Sequence, residues 1–148
     1  MLRYFALLLV LAAPAAAMAQ NGVCSEGAVR AIIRSGKITT TDDSFFWSGA
    51  YDKPLIGNAE QKKSRMTADR EEPRKNFASS MHAQKIDASS SGDMAYEYGT
   101  GKVAYDEGKT GKHTSFDIGY LRVWKAVGGQ CRVAAEMYRP IESTIQSK

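Results

Sequence analysis

The strongest constraint on the fold lies in the second half of the chain, where the apolar pattern has a period of two. Gln84 to Ala88, Asp93 to Asp106, Thr114 to Val127 and Gln130 to Tyr138 read as four strands. Alternate side chains of an extended chain point to opposite faces, so a sheet that buries one face leaves this alternation in its sequence. Ser89-Ser90-Ser91-Gly92, the stretch from Glu107 to Lys112, and Gly128-Gly129 separate the strands with turn-forming residues. Connections this short join antiparallel neighbours, and long strands joined this way predict a curved meander. Gly99 and Gly101, inside the second strand, predict a bulge or bend.

Upstream the pattern changes. Val29, Ile32 and Ile33 form a helical stripe, with Ser25 placed to cap its start and Gly36 to end it. This predicts one short amphipathic helix over Ser25 to Ser35. A Thr- and Asp-rich stretch from Lys37 to Asp43 then leads into Phe45-Phe46-Trp47 and Gly49-Ala50-Tyr51, read as a short strand and turn closing one end of the core. Between residues 58 and 76 the periodicity is lost among mixed charges, and Pro73 opposes one continuous helix. A solvated loop with a frayed helical turn is expected there, with partner binding as its alternative role.

The first 19 residues read as a secretory signal. Arg3 precedes an apolar run from Tyr4 to Ala13, Pro14 breaks it, and Ala17-Met18-Ala19 supplies a small-residue cleavage site. The run is too short for a stable span of roughly 20 residues, so no membrane anchor is expected after cleavage and the mature chain is read as periplasmic or secreted. Residues 20–148 suit a single domain. Removing Arg3 with the signal lowers the formal net charge from +4 to +3, and the interspersed acidic residues point to a solvated surface rather than a nucleic-acid patch.

Cys24 and Cys131 are the two cysteines, and both lie in the exported part. A disulfide between them is therefore expected, two free buried thiols being the alternative. Metal binding is the weaker reading, since His82 and His113 stand at no zinc-site spacing from either cysteine. Gly108-Lys109-Thr110 lacks the earlier glycine of a phosphate loop, Gly99-Thr100-Gly101 lacks the third glycine and helix of a dinucleotide site, and no serine stands on a nucleophile elbow. No cofactor is implied. Sorted by face, Met94, Tyr96 and Tyr98 share one side of their strand, and Phe116, Ile118, Tyr120, Arg122 and Trp124 share one side of the next. Such a surface is either a filled core or the lining of a pocket for a mostly apolar ligand.

The residues from Ser91 to Gly101, SGDMAYEYGTG, followed by Gly119-Tyr120-Leu121-Arg122-Val123-Trp124-Lys125 and by the closing run from Gly128 to Pro140, resemble consecutive strands of SnoaL-like, ketosteroid-isomerase-like domains of the nuclear transport factor 2-like superfamily. Asp42-Asp43-Ser44-Phe45-Phe46-Trp47 resembles an earlier segment of the same domains. The resemblance implies an α+β fold: a cone-shaped, strongly curved antiparallel sheet with an N-terminal helix or helices packed on it and a pocket at its wide end. It also shows two departures, a helix before Asp42 shorter than is usual, and Cys131 in place of the family's last-strand tryptophan.

Superfamily folds of this kind host both binding domains and enzymes. The first expectation is binding of a small apolar ligand by Trp47, Tyr51, Tyr96, Tyr98, Phe116, Tyr120, Trp124 and Met137. The second is a cofactor-free isomerase, dehydratase or cyclase, which needs a carboxylate held in an apolar pocket. Glu97, Asp117 and Glu136 lie on predicted strands, and Glu136, in the apolar stretch from Val133 to Met137, is the catalytic candidate. The sheet's outer face is a candidate homodimer surface.

Overall fold

In the computed structural model, which describes residues 22–147, the period-two segments are the long strands of one curved sheet. The elements run α1 (Glu26–Ser35), β1 (Thr40–Ser48), β2 (Leu55–Ile56), α2 (Asn58–Glu71), β3 (Arg74–Ala88), β4 (Met94–Glu107), β5 (His113–Val127), β6 (Gln130–Pro140), a single 3-10 turn (Glu142–Thr144) and β7 (Gln146–Ser147). The expected signal segment lies outside the described residues. The sheet order is β2-β1-β6-β5-β4-β3, with β7 added beside β5. β3 to β6 form the antiparallel meander, and β1 joins its edge parallel to β6. This is a mixed α+β architecture, a curved sheet with two helices packed on it.

α1 begins and ends as its residues dictate. The Ser25 side chain accepts a hydrogen bond from the Ala28 N–H, and Gly36 closes the helix with a left-handed φ of 68° that a side chain would oppose. Its apolar stripe turns toward the narrow end of the sheet, where Val29 is buried and Ile32 and Ile33 pack against Cys24, Ile86, Ala95, Trp124, Cys131 and Val133. The Cys24–Cys131 disulfide fixes this docking, with Cα atoms 5.1 Å apart at a sequence separation of 107.

Two segments differ from expectation. Residues 58–71 form a 14-residue helix instead of a solvated loop, with Gln61 as its buried residue. α2 docks through polar groups, which leave no apolar stripe to read. Gln61 Nε2 donates to the Ser44 carbonyl and hydroxyl oxygens at 2.9 and 3.0 Å, and Asn58 Oδ1 accepts from Thr40 and Ser44 hydroxyls at 2.7 and 3.2 Å. The helix stops at Glu71, two residues before Pro73, since a proline disfavours helical backbone in the residue before it. β3 in turn begins at Arg74, ten residues before Gln84. Residues 74–80 are exposed on both faces, so alternation is absent and pairing with β4 alone makes the strand.

The bulge anticipated at the β4 glycines falls across from them. The register slips between Ala83 and Lys85, leaving Gln84 as the extra residue on β3. A Cβ on Gly99 would overlap the His82 carbonyl oxygen, and one on Gly101 the Ser80 carbonyl oxygen. The glycines let the bulged strand pass closely over β4.

Candidate functional site

Strand pairing decides which side chains meet. Glu97 lies opposite Arg122, Gly99 opposite Tyr120 and Ala95 opposite Trp124; on the other side of β5, Tyr120 faces Tyr138 and Arg122 faces Glu136. Paired residues share a face. The concave face therefore carries Glu97, Ile118, Tyr120, Arg122, Trp124, Glu136 and Tyr138.

Between this face and α2 lies an open cavity of about 650 Å³. Phe46 and Tyr51 line it from β1 and the turn after it, Arg65 and Asp69 from α2, Arg74 and Phe77 from β3, Phe116 and Ile118 from β5, and Tyr138 from β6. Phe46 makes edge-to-face contacts with Tyr138 (5.2 Å between centroids) and Tyr51 (5.9 Å), and the Arg65 guanidinium sits 5.4 Å above the Phe46 ring. The wall is thus largely aromatic with cations at its rim, a form suited to enclosing an apolar body.

Deeper in the sheet is a buried polar cluster. Glu97 is fully buried, and its carboxylate accepts from the Tyr120 hydroxyl at 2.6 Å and from Trp124 Nε1 at 3.0 Å. Arg122 lies 3.6 Å from Glu97, pairs with Glu136 at 2.8 Å and donates to Met81 Sδ at 2.9 Å. The cluster thus sets two carboxylates around one guanidinium, with donors from a phenol and an indole, so each buried polar group is answered. Burial, then the hydrogen bond to Glu97, raises the Tyr120 hydroxyl above its ordinary pKa. Tyr138, at the boundary between cluster and cavity, is pushed up to about 12, first by burial and then by the Glu136 charge.

The ligand-lining candidates named from sequence divide among three places. Tyr51 and Phe116 line the cavity. Tyr120 and Trp124 point the same way but lie deeper, in the Glu97 cluster, as does Glu136 beside Arg122. Trp47 and Met137 occupy the opposite face, where with Leu121 they line a second groove of about 660 Å³ that Tyr51, Tyr120 and Tyr138 also border. Tyr96 and Tyr98 are also on that outer face, 37% and 41% exposed, with their rings stacked 6.4 Å apart. Phe46, Phe77, Arg65 and Glu97 complete the concave side. Glu97 shares its face of β4 with Ala95, Gly99 and Gly101, a row of small residues and one charge that reads like a solvent face. The large side chains of β5 fill the space those small residues leave.

Solved structures of the same shape include a ketosteroid isomerase-like protein from Erwinia carotovora atroseptica (TM-score 0.60, 18% identity, 76% of this chain and 83% of that one covered). A hexachlorocyclohexane dehydrochlorinase (LinA) of type 2 matches with a TM-score of 0.62 at 11% identity, over 82% and 89%. A nuclear transport factor 2-like superfamily protein from Salmonella enterica matches with 0.53 at 11%, over 68% and 70%. The chain has the nuclear transport factor 2-like fold. No family model matches the chain, and no curated protein matches it. In this fold the wide end of the cone is the cavity beneath α2, and the narrow end is the core stapled by Cys24–Cys131.

Proposed function

We propose that this is an exported ligand-binding domain, periplasmic or secreted, whose cone cavity takes a small, largely apolar molecule. The aromatic cavity of about 650 Å³ carries this reading, since a filled core would leave no such space. Export is supported by the signal-like residues 1–19 and the Cys24–Cys131 bridge. The test is a thermal-shift panel of neutral aromatic and alicyclic compounds on the mature protein. A binder at 100 times its dissociation constant adds about 2.7 kcal/mol of stability. Val103→Trp, which fills the cavity from β4, should abolish the shift; a panel that shifts nothing refutes the proposal.

Glu136 supports a second reading, a cofactor-independent isomerase, dehydratase or cyclase. Its carboxylate is half-buried on the strand that also delivers Tyr138 to the cavity wall, and the fold is also that of a ketosteroid isomerase-like protein and a dehydrochlorinase. The Arg122 ion pair at 2.8 Å holds Glu136 away from the role of a free base, which places binding first. Proton transfer would appear as deuterium incorporation from D₂O into a bound carbonyl compound, lost in Glu136→Gln; incorporation equal to the protein-free rate excludes it.

A further inference from the structure

The cavity rim is not electrically neutral. Arg65 reaches it from α2 and Arg74 from the start of β3, while Asp69 is the one carboxylate in its lining. Asp69 is one helical turn beyond Arg65, yet neither arginine's side chain forms an ion pair or a hydrogen bond among the described residues. Each is held over an aromatic ring instead, Arg65 over Phe46 at 5.4 Å and Arg74 over Tyr105 at 5.5 Å. Such stacking fixes the planar guanidinium by its face and leaves its in-plane N–H donors free. Arg30 spends those donors on Glu26, and Arg122, which lies over the Tyr120 ring at 5.3 Å, spends them on Glu136.

We infer that the cavity selects an amphipathic anion, an aromatic or alicyclic body carrying one carboxylate, with the apolar part against Phe116, Ile118 and Tyr138 and the carboxylate received by Arg65 and Arg74. This rests on the ligand-binding reading above and adds the charge of the ligand. The fork of donors on each guanidinium matches a carboxylate's two oxygens. Both guanidiniums are exposed at the cavity mouth, so the pairing is open to screening by salt.

A matched pair of probes tests it: 2-naphthoate, and 2-naphthalenemethanol with the same ring and no charge, titrated into the mature protein at pH 7 by isothermal calorimetry. The wild type should bind the carboxylate about five- to tenfold more tightly than the alcohol. That ratio should fall toward one between 20 and 300 mM NaCl. In Arg65→Gln/Arg74→Gln the ratio should drop below twofold with alcohol affinity kept, whereas Arg65→Lys/Arg74→Lys should retain a preference. Equal affinities in the wild type, or a preference that survives the double glutamine change, overturn the inference while binding of the alcohol leaves the ligand-binding reading standing. Binding of neither probe overturns both. The salt series needs only the wild type, so it decides the matter even where a variant fails to fold.

Discussion

Glu97 is the residue on which the interior turns. Its carboxylate is the acceptor for Tyr120 and Trp124 and a neighbour of Arg122, all without solvent. Removing one partner of such a set leaves the others unanswered, and that costs far more than the set contributes over an apolar replacement. Glu97→Ala should therefore lose about 3 kcal/mol in urea denaturation, and Glu97→Gln, which keeps an acceptor oxygen, about 1–2 kcal/mol. A loss below 0.5 kcal/mol for alanine would mean that the cluster is hydrated. Tyr138 adds a pH dependence. Its folded pKa of about 12 stands above the ordinary 10.0, so its contribution is fully present below pH 10 and is lost as pH rises from 10 through 12, where the unfolded chain releases the proton first. By pH 11.5 the loss should be on the order of 2 kcal/mol, and Tyr138→Phe should remove that part of the alkaline decline. Glu97 could be named from sequence as a strand carboxylate, but its burial could not, because it depends on which neighbouring side chains cover it.

Among the elements, the strands and α1 were the readable parts, and α2 was not. Val29, Ile32 and Ile33 announce α1 because apolar packing holds it, whereas α2 is held by Gln61, Asn58 and Ser44 through hydrogen bonds that any polar loop could contain. Within β4, Met94, Tyr96 and Tyr98 share a side, and within β5, Phe116, Ile118, Tyr120, Arg122 and Trp124 share a side, as their alternation predicts. Only the register, with Tyr98 opposite Leu121 and Glu97 opposite Arg122, shows that these are opposite sides of the sheet. The disulfide acts at this scale. α1 has 10 residues and is marginal alone. Cys24→Ser/Cys131→Ser should cost about 2–4 kcal/mol, below the chain-entropy guide of about 4.7 kcal/mol for a loop of this size. Amide exchange should reveal the loss first at Val29 to Ile33, ahead of β5. Uniform loss of protection across the sheet would show that the bridge secures the whole domain rather than one docked helix.

At the scale of the whole molecule, the cone has two different ends. The narrow end is closed by α1, the bridge and Trp124, and the wide end is left open between α2 and the concave sheet. This division follows from the departures noted in the sequence. A short first helix covers only the narrow end, and Cys131 gives up a large side chain for a covalent tie. The outer face offers a competing groove at Trp47, Leu121 and Met137, so the central claim is one of location. The most direct measurement is a ¹⁵N–¹H correlation spectrum of residues 20–148 titrated with 2-naphthalenemethanol. Saturable shifts are expected at Phe46, Phe77, Phe116 and Ile118, which border the cavity and not the groove, with Trp47, Leu121 and Met137 silent. Shifts centred on Trp47, Leu121 and Met137, or none that saturate, would contradict that claim.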